Sequence, residues 1–569
     1  MKTTSRRNKD GAVVRYLHLA HNEWDPSAGR SVPKILYSFG REDHLDRAAI
    51  KRLVASLSRL LDPAEALAAT AGAGLAFTES RPPGGAYVLD GIWHRLNIDK
   101  VMATLLKGRR LDGRVERVLF GLVANRALAP SSKLAAADWM SHDVHIDGLG
   151  QVSDDACYRA MDWLHEVTAE LERQVFDQVA NLLNLEVDLL FFDTTSTYFE
   201  LDEPDEPIAR DESGLPRAEP APPHTDTDGG HKQAGFRSRG KSKDHRDDLP
   251  QIVIGMAVTR EGIPVRVWSW PGNTSDSALI RQVKDDMRDW TLSTIVWVAD
   301  RGFASAANRR YLRKGDHHYI IGEKLRSGSA EAKAALSRQG RYQEVAGNLR
   351  VKEVRISQAG RFVICFNPEA AERDAAIRAR MLAQLEELIA GTDTLSATKR
   401  AELRGIISTK PGLARYLRTT PGGLLRIDAA AIKAETNLDG KYLLRCSDPH
   451  MPAEDIALGY KQFLEVERAW RDMKQIIDLR PVCHRLEQRI RAHVILYWLA
   501  LLLICVIETS TGATWPAIRR ELDRMHVGTF TGPSGTFRQR TEPTKSQRDI
   551  LAKLHLPLPK QILELTTHV

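Results

Sequence analysis

The spacing of hydrophobic residues divides the chain into stretches typical of strands and stretches typical of helices. Residues 12–40 alternate between apolar and polar positions, which predicts β-strands, and residues 46–61 carry apolar residues at helical spacing. From about residue 86 to 185 the pattern is almost wholly helical, in short pieces with Ser and Asp capping signals. We therefore expect a small N-terminal β/α unit over 1–85 and a helical bundle over 86–185.

The period changes near residue 186, where VDLLFFD is a short and nearly continuous apolar run typical of a buried strand. A hairpin is predicted next, with IVIGMAVT and PVRVWSWPG joined through Gly262, and STIVWVAD predicts another buried strand. These elements predict an α/β core whose first part spans 186–330 and which is completed over 451–510. We predict that residues 331–450 form an inserted α+β unit.

Two further segments carry many charged residues. Residues 203–248 are so rich in Pro, Gly and charge that we expect them to bury nothing and to form a mobile loop. His224 and His231 in this loop flank acidic residues, but a solvated loop explains them better than a metal-binding tract. Residues 511–569 hold nine Lys or Arg and five Asp or Glu, and we expect a basic C-terminal tail.

Composition narrows the class of protein. The 569 residues are 43% hydrophobic and 27% charged, which is ordinary for globular domains, and the net charge of +7 leans mildly towards polyanionic partners. Five cysteines without a C-x-x-C pair argue against a disulfide framework and a zinc ribbon, and they fit a reducing cytoplasm. The longest apolar run, residues 494–507, is shorter than the roughly 20 residues of a membrane span. We predict that it is a buried core helix and that the protein has no membrane partner.

Two carboxylates close predicted buried strands. Asp193 ends VDLLFFD and Asp300 ends STIVWVAD, although either one alone is more simply a turn or helix cap. If these strands are neighbours in one sheet, both carboxylates emerge at the same edge, within reach of one metal site. Asp276 precedes a predicted helix, and a cap explains it better than a fourth carboxylate of such a site.

The segment 460–478 predicts a helix with two distinct faces. An apolar stripe faces the core and consists of Val466, Trp470, Met473 and Ile477. A second stripe lies about a quarter turn away and consists of Tyr460, Glu467, Arg471 and Lys474. Glu467 is thereby predicted at the rim of the core beside two cations, although taken alone it is better explained as an ordinary exposed Glu/Arg pair.

At these positions the chain resembles the DDE transposases of bacterial insertion sequences, in the IS four superfamily. The signature of that superfamily is Y-x2-R-x3-E-x6-K, and the corresponding residues here are Tyr460, Phe463, Glu467 and Lys474. Several strings look like its sixteen-thirty-four branch, namely FFDTTSTYFE, KDHRDDLPQIVIGMAV, WPGNTSD, VADRGFASAANRRYL and VERAWRDMKQIIDLRPVCHRLEQRIRAH. Since Phe replaces the signature Arg, the positive charge has to come from other residues, for which Arg468 and Arg471 are the candidates.

The resemblance implies an RNase H-like (retroviral-integrase-like) catalytic core with a β-rich insertion and an N-terminal, mostly helical DNA-binding region. It implies that Asp193, Asp300 and Glu467 are the catalytic residues and hold two Mg²⁺ or Mn²⁺ ions, which suit hard oxygen ligands. It also implies DNA contacts, which we assign to Tyr460, Arg468, Arg471 and Lys474.

The implied activity is metal-dependent hydrolysis of phosphodiesters at insertion-sequence ends, followed by 3′-OH strand transfer into target DNA. The expected partner is double-stranded DNA, both the terminal inverted repeats and the target. We expect a homodimer to bind this DNA in the cytoplasm, where the bound protein is associated with the nucleoid. Two alternatives stay open: a catalytically inactive regulator that binds DNA ends, and an RNase H-like nuclease without strand transfer. The three intact carboxylates argue against the first, and a strand-transfer assay separates the second.

Overall fold

The structure is a computed structural model. It describes residues 2–8, 13–27, 29–58, 76–109, 113–183, 185, 187–211, 214–216, 233–288, 290, 295–357, 360–475, 477–479, 482, 484–532 and 535–567. Contacts group the chain into two compact units. The smaller unit consists of Met1–Ser80, Gly528–Gln539 and Ile562–Val569, and the larger one of Arg81–Val527 and Arg540–Gln561.

The smaller unit contains the strands predicted near the N-terminus. Its antiparallel sheet consists of β1 (Lys2–Arg7), β2 (Val13–Asp25) and β3 (Arg30–Arg41), and helix α1 (Arg47–Ser58) follows. A second sheet has the order β20-β19-β18-β4, with β4 (Ala76–Arg81), β18 (Val527–Gly532), β19 (Gly535–Arg540) and β20 (Ile562–Thr567). The prediction of a C-terminal tail over 511–569 is wrong, because this segment supplies β18, β19 and β20 to a folded sheet.

The helices predicted between 86 and 185 are present in the larger unit. They are α2 (Gly84–Arg95), α3 (Ile98–Leu106), α4 (Val115–Leu128), α5 (Lys133–His142) and α6 (Asp154–Leu183). Helix α16 (Glu487–Thr511) packs against α4 and α6 and shares one hydrophobic core with them. Among the described residues, α16 is the one helix long and apolar enough to cross a membrane, but 94% of its most apolar window is buried. The prediction of a buried core helix is confirmed.

A nine-stranded sheet forms the centre of the larger unit. Five of its strands are β5 (Leu189–Tyr198), β8 (Gln251–Thr259), β9 (Pro264–Pro271), β10 (Val296–Ala299) and β11 (His318–Glu323). They lie in the order β9-β8-β5-β10-β11, with β10 parallel to both neighbours and the β5-β8 and β8-β9 pairs antiparallel. The predicted hairpin is confirmed, and Gly262 at its turn has φ +79°, a conformation that suits glycine.

Residues 331–450 continue this same sheet. Their strands β12 (Gln343–Ala346), β13 (Leu349–Ser357), β14 (Gly360–Phe366) and β17 (Lys441–Cys446) extend it beyond β11 in the order β17-β14-β13-β12. Two short strands, β15 (Leu417–Thr419) and β16 (Leu425–Ile427), pair separately. The helices of this part are α10 (Pro368–Ile389), α11 (Ala397–Ser408), α12 (Pro411–Ala414) and α13 (Ala429–Thr436).

Several shorter elements complete the described part of the larger unit. They are β6 (Ile208–Ala209), β7 (Gln233–Ala234), α7 (Asp276–Asp286), α8 (Ala306–Leu312), α9 (Ala330–Ser337), α14 (Ala453–Lys461), α15 (Leu464–Gln475), α17 (Trp515–Leu522) and α18 (Lys545–Lys553). The prediction of one helix through 460–478 is wrong, because a turn at Gln462 and Phe463 separates α14 from α15. Tyr460 and Glu467 therefore lie on different helices.

The prediction that residues 203–248 bury nothing is wrong for the parts of that segment that the structure describes. Phe236 is fully buried, and the buried Arg210 forms an ion pair with Glu487 at 3.0 Å. The charges of the segment are compatible with burial because they are paired with charges of the core rather than left in solvent. Residues 217–232, which include His224 and His231, lie outside the described residues.

Candidate active site

Asp193 lies on β5, and Asp300 directly follows the neighbouring parallel strand β10. The residues before them, Phe192 of β5 and Ala299 of β10, are paired in register. The prediction that Asp193 ends its strand is wrong, since β5 runs on to Tyr198 and stays paired with β8. The strand that ends here is β10, whose last paired residue is Ala299. From Asp193 onwards, β5 therefore has no strand of the described residues beside it on the β10 side.

Glu467 reaches the same place from α15, which packs against β5 and β8. The helix is positioned by its apolar stripe, in which Val466, Trp470 and Met473 are buried as predicted, while Glu467 is exposed. Asp193, Asp300 and Glu467 all line one cleft of about 1000 Å³. Five basic residues line the same cleft, namely Arg301, Lys324, Arg326, Lys441 and Lys461.

Tyr460 stands inside this cleft in a stack of aromatic rings. Its ring centroid is 6.1 Å from that of Tyr442 and 5.8 Å from that of Phe463, with the rings nearly parallel in the second pair. The hydroxyl lies against Gly322 of β11, where an added Cβ would be 2.6 Å from the hydroxyl oxygen. Gly322 therefore makes room for the tyrosine hydroxyl.

The three carboxylates of the cleft affect the hydroxyl of Tyr460. Burial is the main cause that raises the pKa of the Tyr460 hydroxyl, and the negative charges of Asp300, Asp193 and Glu467 raise it further. Each of the three carboxylates thus lies close enough to act electrostatically on the same hydroxyl. The three carboxylates of the predicted triad and Tyr460 thus line the same cleft.

A lysine that the sequence reasoning missed offsets part of this negative charge. The Lys243 ammonium lies 3.8 Å from Asp193 Oδ1 and 3.5 Å from Asp276 Oδ2, and it donates a hydrogen bond of 2.6 Å to Thr194 Oγ1. Burial raises the pKa of Asp193 to about 6; Lys243 opposes this rise, and Asp300 and Asp276 add to it. The only signal for Lys243 was its place at the start of KDHRDDLPQ.

Asp276 is part of this arrangement, so the interpretation of Asp276 as a helix cap is wrong. Helix α7 begins at Asp276 after Ser275, and Ser275 makes no capping hydrogen bond through its side chain. Asp276 Oδ1 instead accepts a hydrogen bond of 2.8 Å from Thr194 Oγ1. The carboxylate is drawn towards the strand because the hydroxyl of Thr194 and the ammonium of Lys243 lie there.

The residues of the cleft suit a divalent cation. Carboxylate oxygens are hard ligands of the kind that Mg²⁺ and Mn²⁺ prefer, and neither His nor Cys is among the described residues that line the cleft. The ammonium of Lys243 between Asp193 and Asp276 indicates where positive charge is favoured. Over the described ranges, no three acidic, His or Cys side chains converge closely enough to hold a single ion.

The remaining predicted DNA contacts have different surroundings. Lys474 is ion-paired with Asp244 at 2.9 Å, with both side chains mostly buried. Arg468 pairs with Glu508 at 2.8 Å and lines a separate pocket, so the structure does not bring it to the cleft. Arg471 is exposed on α15.

Comparison with known proteins assigns the family. Residues 223–503 match the family model described as transposase DDE domain, and residues 1–68 match the one described as IS1634 family transposase, N-terminal domain. The chain belongs to the IS1634 family of DDE transposases. Asp300 and Glu467 lie within the matched DDE segment, and Asp193 precedes it.

This transposase is also similar to one solved structure, titled as the cryo-EM structure of a piggyBac transposase synaptic complex with hairpin DNA. The two share 11% sequence identity over 78% of this chain and 82% of the other, with a TM-score of 0.33. A likeness this weak adds nothing to the argument for the site. The comparison with curated proteins found no match.

The family membership confirms the function predicted from the sequence. The protein is a DNA transposase of an insertion sequence, and its partner is DNA. Members of the DDE family generally use divalent metal ions.

Proposed function

We propose that Asp193, Asp300 and Glu467 together hold the divalent metal ions with which this transposase cuts and joins DNA. The observation that carries the proposal is that all three carboxylates line the same cleft. Three carboxylates together with a DNA phosphate would balance the charge of two Mg²⁺ or Mn²⁺ ions, which in such sites lie about 3.5–4 Å apart.

The bound ions would supply charge stabilisation for the attacking and leaving oxygens of the phosphodiester. The chain's own residues would hold the DNA in place. Tyr460 inside the cleft and Arg471 on the exposed side of α15 are positioned to contact phosphates of the scissile strand. Lys474 joins them if DNA displaces its present partner Asp244. Hydrolysis would free a 3′-OH at the element end, which the same site would then join to target DNA.

The sheet order supports an RNase H-like core for this chemistry. Three antiparallel strands, β9-β8-β5, are followed by the two parallel strands β10 and β11, and the first two carboxylates lie on the central pair. The strands of 331–450 would then be the insertion between Asp300 and Glu467, joined to the core along β11.

Partners and location follow from the reaction. We assign terminal inverted repeats and target DNA as the two DNA substrates, the helices between 86 and 185 as a DNA-binding region, and a homodimer as the form that pairs two element ends. A bacterial transposase meets its DNA in the cytoplasm, where it would be associated with the nucleoid.

The test uses duplex DNA copied from both flanks of the gene, incubated with the full chain and Mg²⁺. We expect nicking at the element ends and, with pre-cut ends, joining to a plasmid target. Asp193→Asn, Asp300→Asn and Glu467→Gln should each abolish both reactions while DNA binding remains. Binding without any cutting by the wild type would favour the inactive regulator, and cutting without joining would favour the nuclease.

A further inference from the structure

Two consecutive residues of the segment 233–248 link the strand that carries Asp193 to the helix that carries Glu467. The backbone N–H of Lys243 donates a hydrogen bond of 2.9 Å to Ser196 Oγ on β5, and its ammonium donates to the carbonyl and the hydroxyl of Thr194. Lys243 is therefore bound along the strand that carries Asp193, by its backbone and by its side chain.

The next residue, Asp244, binds the helix that carries Glu467. Asp244 Oδ1 accepts a hydrogen bond of 2.9 Å from Lys474 Nζ, and the two side chains are only 15% and 16% exposed. Lys474 lies on α15, seven residues or about two turns after Glu467. One short stretch of chain thus links β5 to α15 by polar contacts.

The apolar stripe of α15 does not by itself fix the rotation and axial position of the helix. A stripe of buried side chains holds a helix against a sheet, but the hydrophobic effect is non-directional and does not by itself select one rotation of the helix. A metal site requires its ligands to be held to within about 0.5 Å. A charged hydrogen bond in a mostly buried place is directional and supplies that constraint.

We propose that Asp244 is a positioning residue, which through Lys474 sets the rotation and axial position of α15 so that Glu467 faces Asp193 and Asp300. The proposal rests on the assignment of these three carboxylates as metal ligands. It gives Lys474 a role in the DNA-free protein, distinct from a contact with phosphate.

The test measures Mn²⁺ affinity of the full chain without DNA, by calorimetry, together with the free energy of unfolding. Asp244→Asn and Lys474→Met should each weaken Mn²⁺ binding by about 10-fold or more, as loss of an outer partner does in other metal sites. Each also removes one charge of a mostly buried ion pair and should therefore lower stability.

The double variant Asp244→Asn/Lys474→Met separates positioning from stability. It removes both charges of the ion pair, so it should recover stability relative to the single variants, yet Mn²⁺ binding should stay as weak as in them because the link is still absent. A pair that only stabilised the fold would recover both properties together, and that result would overturn the proposal.

A control of similar burial is the pair between Arg117 and Asp90, at 2.7 Å with exposures of 14% and 18%, in the helical region, where Arg117 also pairs with Glu116. Asp90→Asn should lower stability and leave Mn²⁺ affinity unchanged; equal weakening by Asp90→Asn contradicts the proposal. Glu467→Gln tests the assumption beneath it. If Glu467→Gln binds Mn²⁺ as the wild type does, the triad assignment fails. If it weakens binding and Asp244→Asn does not, only the positioning role fails.

Discussion

Asp193 and Asp300 lie at the same level of one sheet, each one residue beyond the registered pair of Phe192 and Ala299. Because the two strands are parallel, their carboxylates emerge together where β10 ends and β5 continues. Glu467 reaches this point from α15, and the three line one cleft.

Glu467→Gln keeps the size of the side chain and removes the charge that would bind a metal ion. We expect end cleavage and strand transfer to fall by about 100-fold or more, with DNA affinity unchanged. A gel assay of cleavage and a filter-binding assay on the same duplex measure the two properties. If the variant cuts at near wild-type rate in Mg²⁺, another carboxylate of the helix, such as Glu465, is the ligand.

Arg471 and Arg468 form a matched pair for testing DNA contacts. Arg471 is exposed on α15, whereas Arg468 pairs with Glu508 in a different pocket. Arg471→Ala should weaken DNA binding and reduce the slope of log affinity against log salt by about one, because one phosphate contact is lost. Arg468→Ala should leave the slope unchanged. The opposite ranking of the two variants would place the DNA on the other side of the helix.

Gly322→Ala tests the fit of the Tyr460 hydroxyl. The new methyl group would lie 2.6 Å from the hydroxyl oxygen, and the stacked rings prevent Tyr460 from moving away. We expect a loss of about 1–3 kcal/mol in the free energy of unfolding, typical of overpacking, and a loss of cleavage. The double variant Gly322→Ala/Tyr460→Phe should recover much of the stability.

The control for this substitution is Gly302→Ala, since a Cβ at Gly302 meets no atom within 4 Å. Urea unfolding of the variants gives the comparison. Equal losses in Gly302→Ala and Gly322→Ala would mean that the hydroxyl contact is not the cause.

The buried imidazole of His484 makes the free energy of unfolding depend on pH. Burial lowers its pKa to about 3, with nearby Lys133, Arg489 and Arg126 lowering it further. The unfolded chain binds a proton near pH 6.5 that the folded imidazole does not bind. This contribution to stability is therefore present above pH 6.5 and is lost as the pH falls towards 3, by about 1.4 kcal/mol per pH unit at most.

His484→Gln should make the free energy of unfolding less steep in pH between 6.5 and 5 than in the wild type. Urea titrations at pH 5, 6 and 7 measure the slope. An unchanged slope would show that the imidazole is protonated in the folded protein.

Much of the site follows from local sequence patterns. Periodicity places Val466, Trp470 and Met473 on one face of a helix, which leaves Glu467 at its rim, and two apolar runs followed by Asp predict a pair of buried strands. These features depend on residues close together in the chain, so a single sequence contains them. The family signature then connects the three segments.

The remaining features depend on contacts between distant segments, which one sequence does not reveal. Lys243 lies 50 positions after Asp193, beyond a charged segment that looks solvated from its composition, yet it contacts that carboxylate. Gly322 matters only because Tyr460, far along the chain, stacks against it. The break between α14 and α15 likewise goes undetected, because apolar residues continue at helical spacing across it.

The most direct test of the shared metal site is the number of Mn²⁺ ions that the full chain binds with pre-cut duplex DNA, counted by electron paramagnetic resonance. We predict two ions per chain for the wild type, and fewer ions or clearly weaker binding for Asp193→Asn, Asp300→Asn and Glu467→Gln alike. Wild-type Mn²⁺ binding in all three variants would contradict the assignment of the triad.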